Sequence, residues 1–372
     1  MRRLSVMLLF ALSACAGHSS PPAAEHAPAV EQAGGDVTQA QAAETDDPRD
    51  PSAEASCVPT PPLACDATPP DPGVTVPWRH QVATRLAVNM GAARHRGRDL
   101  FLREGAEQWA LAKFAYGSTD KNLQDEQVRI WLERDCAGAW ESLGSALTSD
   151  DGDHEEVHGV SDSGGWVFFR IPGAAHLGIG RHRIHFVVAG DLSSAGQWIE
   201  VLPAAARVVV TDVDGTLTEA ESAEFMRIFH GRSPQADEGA ADVLWALAHR
   251  GYRIFYLTAR PEWLATRTHE WIVERGLPPG LVHTTLTFRG ATGAAAQSFK
   301  AAELHALTSS FDQPPDWAFG NMPSDAGAYA GAGIPAAHRL FYRLSGDARG
   351  GVIVDDYRAL VPDAVASPVA CP

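Results

Sequence analysis

Short hydrophobic runs separated by turn residues dominate the chain from about Pro77 to Pro203. The runs contain β-branched and aromatic residues, and turn residues such as Gly117-Ser-Thr lie between them. They cover residues 98–103, 109–116, 127–133, 166–171, 182–188 and 198–202. Many short strands at this spacing are typical of two packed antiparallel sheets. We therefore predict an all-β sandwich domain over residues 78–203.

After Pro203 the pattern changes, because short apolar runs now alternate with longer amphipathic segments. The runs predict strands over 208–210, 252–257, 281–286, 317–319 and 339–342, with helices over 238–250, 261–275 and 299–307. Alternating strands and helices indicate a parallel sheet with helices on both faces. We predict an α/β domain over residues 204–372. Ligands in such sheets bind at the carboxyl ends of the strands, so the residues that follow each strand carry the candidate chemistry.

The first residues predict export. Met1-Arg-Arg3 is basic, and residues 4–12 are apolar but too few to span a bilayer. Leu12-Ser-Ala-Cys15 resembles the lipobox of bacterial lipoproteins, in which the cysteine is acylated. The resemblance implies a signal peptide over residues 1–15 and a lipid anchor on Cys15. It also implies a location in the cell envelope, facing the periplasm or the exterior. A soluble secreted protein with an incidental cysteine is the alternative.

Composition indicates a disordered segment and restricts the kinds of binding partner. Residues 16–77 are rich in Ala, Pro, Ser and acidic residues with few large apolar ones, which predicts a disordered tether. The chain has 30 Lys and Arg against 46 Asp and Glu, a formal net charge of −16. Nucleic-acid binding needs basic surface, so we expect no nucleic-acid partner. The charge and composition do not determine the oligomeric state.

Four cysteines remain beyond Cys15, namely Cys57, Cys65, Cys136 and Cys371. An even number in an exported chain suggests disulfides, and three connectivities are possible. The short spacing favours a local Cys57–Cys65 bridge. No pair has the spacing of a zinc site, so we expect no zinc.

Reactive side chains follow the predicted strands of the α/β domain. Carboxylate, hydroxyl, ammonium and carboxamide groups are brought to one edge of the sheet by Asp212, Asp214, Thr258, Lys300, Asn321 and Asp325. We expect Lys300 at the start of its helix. Buried carboxylates at such an edge are costly unless a cation or hydrogen bonds satisfy them. A solvated Asp-Gly turn is the alternative explanation for Asp214-Gly215.

The sequence segments that contain these residues, taken in chain order, resemble the four motifs of the haloacid-dehalogenase superfamily of phosphatases. The resemblance covers about residues 207–360. Within the superfamily the chain is similar to the domain shared by lipins, which are phosphatidate phosphatases, and membrane-associated phosphatidylinositol transfer proteins. The resemblance is carried by Asp212-Val-Asp-Gly-Thr-Leu-Thr218, residues 251–261, Trp271-Ile-Val-Glu-Arg-Gly-Leu-Pro278 and residues 320–335. It implies a capless haloacid-dehalogenase-like sheet, since residues 218–238 and 286–299 are too short for a lid domain.

The resemblance also implies a role for each residue. Asp212 would be the nucleophile that forms an aspartyl-phosphate, and Asp214 the general acid and base. Thr216 would hold Asp214, while Thr258 and Lys300 would bind the phosphoryl oxygens. The implied cofactor is Mg²⁺, bound by Asp212, the Asp214 carbonyl, Asn321 and Asp325.

The implied activity is Mg²⁺-dependent phosphate release from a phospholipid phosphomonoester such as phosphatidate. Many superfamily members have an acidic residue at the position of Asn321, although lipin-type sequences have Asn there. The transfer-protein relatives depart from Asp-Gly-Thr, whereas this chain retains Asp212, Asp214 and Thr216. Two alternatives stay open. One is a non-catalytic phosphatidate- or phosphoinositide-binding module at the envelope, and the other is a phosphatase of soluble or macromolecular phosphomonoesters whose sandwich binds sugars or mediates adhesion.

Overall fold

The computed structural model describes residues 58–218 and 234–370. Cys15, Cys57, Cys371, the signal peptide and most of the predicted tether lie outside the described residues, and the predictions made for them remain predictions. In the part of the chain that is described, no helix combines the length and the apolar character needed to cross a membrane.

The first part of the described chain is a β-sandwich preceded by one helix. Helix α1 spans Gln81–Val88. The strands are β1 (Arg96–Gly97), β2 (Leu100–Arg103), β3 (Trp109–Lys113), β4 (Ala115–Tyr116), β5 (Lys121–Asn122), β6 (Gln127–Glu133), β7 (Trp140–Leu147), β8 (Trp166–Arg170), β9 (Gly180–Val188) and β10 (Ser194–Leu202). They form a three-stranded sheet β1-β3-β8, a five-stranded sheet β2-β10-β9-β6-β7 and the ribbon β4-β5. The predicted sandwich fold is confirmed.

The sandwich core follows from alternation along its strands. In β6 the side chains of Val128, Ile130 and Leu132 are fully buried, and the residues between them are partly exposed. β6 pairs antiparallel with β9, so that Ile130 lies opposite Phe186. Apolar side chains of both sheets thus meet in one core. The alternation visible in the sequence is the direct cause of this packing.

The second part contains six parallel strands and five helices among the described residues. The elements are β11 (Val208–Thr211), α2 (Ala240–His249), β12 (Arg253–Leu257), α3 (Ala265–Glu274), β13 (Gly280–His283), α4 (Gly293–Phe311), β14 (Trp317–Gly320), α5 (Pro323–Gly331), β15 (Arg339–Tyr342), β16 (Val352–Val354) and α6 (Val361–Ala366). The strand order is β13-β12-β11-β14-β15-β16, and every pair is parallel. The predicted α/β class with a parallel sheet is confirmed.

Both faces of this sheet are covered by helices, which explains its continuous apolar strands. Alternate strand residues such as Val209 and Ile254 pack with α2, α3 and α6. Their neighbours, such as Val210 and Phe255, pack on the other face with α4 and α5. Phe101 of β2 also reaches this second face, where its ring meets Phe255 edge-on at 5.6 Å. The sandwich therefore packs directly on the α/β domain.

Several elements differ from the sequence predictions. Helix α4 begins at Gly293, seven residues before Lys300, so the expectation that Lys300 opens the helix is wrong. The small residues 293–296 have no large apolar side chain to mark a helical face. Strand β13 ends at His283 rather than at residue 286. Helix α1 and strands β7 and β16 were not predicted, because their exposed positions obscure the hydrophobic pattern.

The favoured Cys57–Cys65 bridge is wrong. Cys65 is bonded to Cys136, which lies 71 residues further along the chain. The bond joins the segment before α1 to the turn after β6, two regions that only the folded sandwich brings together. Sequence spacing favoured the nearest cysteine, whereas the fold decides which cysteines meet.

Glu303 of α4 connects the two domains through a buried charge cluster. One carboxylate oxygen lies 2.6 Å from Nη2 of Arg98 in the sandwich, and the other lies 2.6 Å from Nδ1 of His283. Burial alone raises the pKa of Glu303, but Arg98 and His283 outweigh burial and lower the pKa to about 2. The cluster therefore favours the ionised carboxylate.

This cluster predicts a pH-dependent contribution to stability. The Glu303 pKa falls from 4.5 to about 2 on folding, which corresponds to roughly 3 kcal/mol. Because the folded-state pKa is the lower one, the contribution is present above pH 4.5 and disappears as the pH falls towards 2. Urea unfolding of wild type and Glu303→Gln should differ at pH 7 and converge in acid. Asp312→Asn, which removes the exposed Arg103–Asp312 pair between the same domains, is the matched control. A constant difference across this pH range would contradict the assignment.

Candidate active site

The carboxyl ends of three adjacent central strands form the site. Asp212 directly follows β11, and its main-chain N–H donates to Phe319 O of β14 at 2.9 Å, which continues the sheet pairing to this aspartate. Thr258 follows β12 and Asn321 follows β14. Gly215 adopts φ +72°, a left-handed conformation that glycine tolerates best and that turns the chain back under the site. Parallel pairing thus brings distant sequence segments to one edge, as predicted.

A buried lysine between two carboxylates occupies the centre of the site. Lys300 Nζ lies 2.7 Å from Asp212 Oδ1 and 2.5 Å from Asp325 Oδ1. The three residues are 2%, 5% and 0% exposed, respectively. Helix α4 delivers the lysine from the face that packs on the sheet, beside Ala296 and Leu304. Three groups predicted from separate motifs are therefore in direct contact.

The charges in this cluster do not cancel. Burial raises the pKa of the Asp212 carboxyl; Lys300 opposes this rise and Asp325 adds to it. Burial would lower the pKa of Lys300, but the two carboxylates raise it instead, so the lysine stays charged. When both carboxylates are ionised, the single ammonium leaves one negative charge, which a further cation would neutralise.

Asp325 anchors the lysine and the start of α5. Its Oδ2 accepts hydrogen bonds from the main-chain N–H groups of Asn321 and Met322, both at 3.0 Å, while its Oδ1 binds Lys300. A Cβ on Gly320 would lie 2.6 Å from the Asp325 side chain, so only glycine fits there. Asp325 therefore holds Lys300 in place, and its predicted role as a metal ligand stays a prediction.

Arg260 holds the second aspartate, and the sequence prediction gave it no role. Its Nη2 lies 2.7 Å from Asp214 Oδ1 and its Nε 2.9 Å from Asp214 Oδ2, a bidentate pair. Arg260 is 4% exposed and is itself fixed by the Thr268 hydroxyl at 2.9 Å. The Thr258 hydroxyl also donates to Asp214, at 3.2 Å. The sequence contained an indication of this role. Arg260 lies two residues after Thr258, and in an extended chain side chains two residues apart lie on the same face.

Thr216 has a different partner from the one predicted. Its hydroxyl lies 3.1 Å from Asn321 Oδ1 and 3.4 Å from Asp212 Oδ2, and Asp214 is held by Arg260 and Thr258 instead. After the turn at Gly215, the Thr216 hydroxyl lies within reach of both Asp212 and Asn321. Thr216 therefore links Asp212 to Asn321.

The oxygen donors of the site suit a small hard cation. Within the part of the chain that the structure describes, Asp212 Oδ2 has a single long contact, to Thr216, and Asn321 Oδ1 borders the same hydroxyl. Among the described residues no cluster of three or more His, Cys, Asp or Glu side chains is arranged to hold a metal. The donors that fit Mg²⁺ are the Asp212 carboxylate, the Asn321 amide oxygen and a main-chain carbonyl, and Asp325 as a further ligand stays a prediction.

A pocket of about 240 Å³ opens onto these groups. Its walls include Arg289 and Met322 as well as the predicted residues Asp212, Asp214, Thr258, Lys300, Asn321 and Asp325. The short loop at residues 284–292 forms one wall, and no lid domain stands between β13 and α4. Phe288 in this loop and Met322 are each 45% exposed. The mouth on this side is open and partly apolar.

Comparison with known protein families identifies two matching regions. Residues 209–342 match the model described as the LNS2 domain of PITM 1-3, and residues 93–201 match the PITM 1-3 beta-sandwich domain. The two matches support a lipin-like LNS2 domain, of haloacid-dehalogenase type, preceded by a β-sandwich. They agree with the two folds described above.

Curated relatives point to the same group of proteins. Protein retinal degeneration B of Drosophila melanogaster is 31% identical over 54% of this chain and 14% of its own length. Membrane-associated phosphatidylinositol transfer protein 3 of Homo sapiens is 28% identical over 54% of this chain and 19% of its own length. The chain thus spans less than a fifth of these relatives. A solved structure of a hypothetical protein from Xanthomonas campestris aligns with 20% identity and a TM-score of 0.29, over 44% of this chain and 82% of that one.

The central cluster predicts a large cost for removing Lys300. Lys300→Met would leave Asp212 and Asp325 buried without their ammonium, so the free energy of unfolding should fall by about 3–5 kcal/mol. Urea titration monitored by tryptophan fluorescence measures this change. Lys121→Met removes an exposed lysine of the sandwich and should change stability little. A loss below about 1 kcal/mol for Lys300→Met, in the range of exposed ion pairs, would mean that the ammonium does not stabilise the two carboxylates.

Proposed function

We propose that this protein is a Mg²⁺-dependent phosphatase that uses an aspartyl-phosphate intermediate and acts on a phospholipid phosphomonoester such as phosphatidate. The observation that carries the proposal is the buried Asp212 carboxylate at the end of the central strand, 2.7 Å from Lys300 and open to a pocket. A carboxylate placed there by the fold is a nucleophile candidate, and the adjacent lysine is a ligand for phosphoryl oxygens.

The proposed reaction has two steps. A carboxylate oxygen of Asp212 attacks phosphorus, and the bond from phosphorus to the leaving oxygen breaks. Asp214 gives its proton to that oxygen. In the second step Asp214 accepts a proton from water, which attacks the aspartyl-phosphate and releases inorganic phosphate and free Asp212. Lys300 stabilises the charge on the phosphoryl oxygens in both steps.

Arg260 orients the proton-transferring group. The arginine and the Thr258 hydroxyl together donate to both oxygens of Asp214. Arg260 Nε lies 2.9 Å from one Asp214 oxygen and 3.2 Å from the other, so about all four acceptor positions of the carboxylate face a donor, and proton transfer through Asp214 requires one of these contacts to open. The Asp214 side chain is 24% exposed, which leaves access for water and for a leaving group. Mg²⁺, held by Asp212, the Asp214 carbonyl and Asn321, would supply positive charge to the reacting phosphate.

A lipid substrate is supported by two observations. Relatives of the α/β domain are named phosphatidylinositol transfer proteins, and the matching LNS2 description covers the residues of the site. Apolar Met322 lines the pocket together with Arg289, and Phe288, next to Arg289 along the chain, is exposed. An apolar rim with a cationic side chain suits a phosphate group carried on acyl chains.

A non-catalytic phospholipid-binding module is the second candidate. The specific observation in its favour is that the relatives carry names of transfer proteins rather than of hydrolases. Such a module would use Lys300 and the pocket to bind the phosphate without breaking a bond. The two candidates differ in one measurable respect, which is phosphate release.

Phosphate release from a panel of phospholipids and from p-nitrophenyl phosphate tests the proposal. We expect release with Mg²⁺, loss of release with chelator, and a fall in rate of roughly three orders of magnitude in Asp212→Asn. Asp347→Asn, which alters an exposed aspartate of the same domain, should keep the wild-type rate. Capture of phosphatidate vesicles without release at any Mg²⁺ concentration, by correctly folded protein, would refute catalysis and support the binding module.

The proposed location is the cell envelope, with the protein anchored through acylated Cys15. Its support is the lipobox-like Leu12-Ser-Ala-Cys15 after a short apolar run. Several acyl chains on one cysteine give stable attachment, since each buried methylene contributes about 0.8 kcal/mol. A long polar tether would let the folded domains reach a lipid surface.

Replacing the proposed lipidated cysteine tests the location. Cys15→Ser should move the protein from the membrane fraction to the soluble fraction or leave the precursor unprocessed. Mass spectrometry of the wild-type N-terminal peptide should show the added acyl mass. A wild-type protein that is soluble and unacylated would restore the alternative of ordinary secretion.

A further inference from the structure

A four-residue segment of the sandwich, Arg96–Asp99, inserts charged side chains into the α/β domain. Arg96 is 2% exposed, and its Nη2 lies 2.8 Å from Oε1 of Glu262. Lys113 of β3 lies 3.6 Å from the same oxygen. Asp120, 2.6 Å from Arg96, holds the guanidinium in place from within the sandwich. Glu262 is therefore a carboxylate of the α/β domain enclosed by cations of the sandwich.

Glu262 lies two residues after Arg260, and the intervening loop has little freedom. Arg260 O accepts a hydrogen bond from Thr285 N at 3.0 Å, and Ala259 O accepts one from Ala291 N at 2.9 Å. Pro261 fixes one backbone dihedral between Arg260 and Glu262. A displacement of Glu262 would thus be transmitted to Arg260 and to its bidentate contact with Asp214.

The same segment also holds the helix that carries Lys300. Arg98 binds Glu303 of α4 at 2.6 Å, and Glu303 is one helical turn beyond Lys300. Asp99, which is 1% exposed, accepts a hydrogen bond from Val282 N at 2.8 Å and contacts His269 Nε2 at 2.8 Å. The two cations that contact the aspartates of the site, Arg260 and Lys300, therefore lie on elements that this segment contacts.

We propose that the sandwich is a positioning part of the active site, in which Arg96 and Arg98 fix the Glu262 and Glu303 elements and so set Arg260 against Asp214 and Lys300 against Asp212. This inference rests on the proposed phosphatase function. Under this proposal the sandwich is more than a separate binding module. Its ion pair with Glu262 connects it, through Arg260, to the proposed proton-transferring residue Asp214. Glu262 is a positioning residue, since it acts through Arg260 and lines no part of the pocket.

A double-mutant cycle of Glu262→Gln with Arg260→Met tests the proposal on the full chain. Glu262→Gln should lower kcat about 10-fold with KM within about twofold, since only the orientation of Asp214 changes. In the Arg260→Met background the same substitution should cost nothing further, because the residue through which it acts is already absent. Equal losses in both backgrounds would mean a merely structural role and would overturn the proposal. If Glu262→Gln does not fold, the cycle is repeated with Arg96→Lys in its place. This substitution keeps the positive charge but loses the planar guanidinium that can bind two oxygens at once.

Arg181→Gln is the matched control. Arg181 is also buried and also crosses the interface, but it donates to Gly280 O at the amino end of β13, the edge opposite the site. It should reduce stability without changing kcat.

Hydrogen exchange provides a readout independent of catalysis. Exchange of the amides of Thr285 and Ala291 should accelerate in Glu262→Gln and stay at the wild-type rate in Arg181→Gln. If wild type releases no phosphate, the proposed function fails, and this exchange result still decides the positioning role. If both amides of folded Glu262→Gln exchange at the wild-type rate, the proposed positioning role is overturned.

Discussion

The buried ammonium of Lys300 between Asp212 and Asp325 is the interaction on which the site depends. It satisfies one oxygen of each carboxylate at a sheet edge from which most water is excluded. Without it, folding would bury two like charges side by side, which costs several kcal/mol. Within the described residues, the second oxygen of Asp212 has a single long hydrogen bond, to Thr216. The same three residues therefore compensate the buried charge and provide the proposed nucleophile.

The two aspartates of the first motif are treated differently by the fold. Asp212 shares a lysine with another carboxylate, whereas Asp214 has an arginine of its own in bidentate contact. A two-residue spacing along the chain brings both to one edge, and different partners then separate their roles. The Asp212 carboxylate is buried, and the Asp214 side chain stays partly exposed. This difference in environment is the physical basis for proposing different roles for two chemically identical side chains.

The sandwich takes part in this arrangement through charge rather than through apolar contact alone. Arg96, Arg98 and Asp99 each pair with a group of the α/β domain in a buried interface. Buried pairs of this kind specify orientation, because a small shift leaves charges unsatisfied. Apolar packing, such as Phe101 on Phe255, tolerates sliding more readily. The relative orientation of the two domains is thus tied to polar geometry near the site.

The sequence by itself determined the two fold classes and the set of groups at the sheet edge. Strand and helix periods are local properties, and parallel strands necessarily bring residues such as Asp212, Thr258 and Asn321 to one edge. Only the tertiary structure decided the pairings: Arg260 with Asp214, and Cys65 with Cys136. Pairings depend on distances between segments far apart along the chain, and no local pattern encodes them.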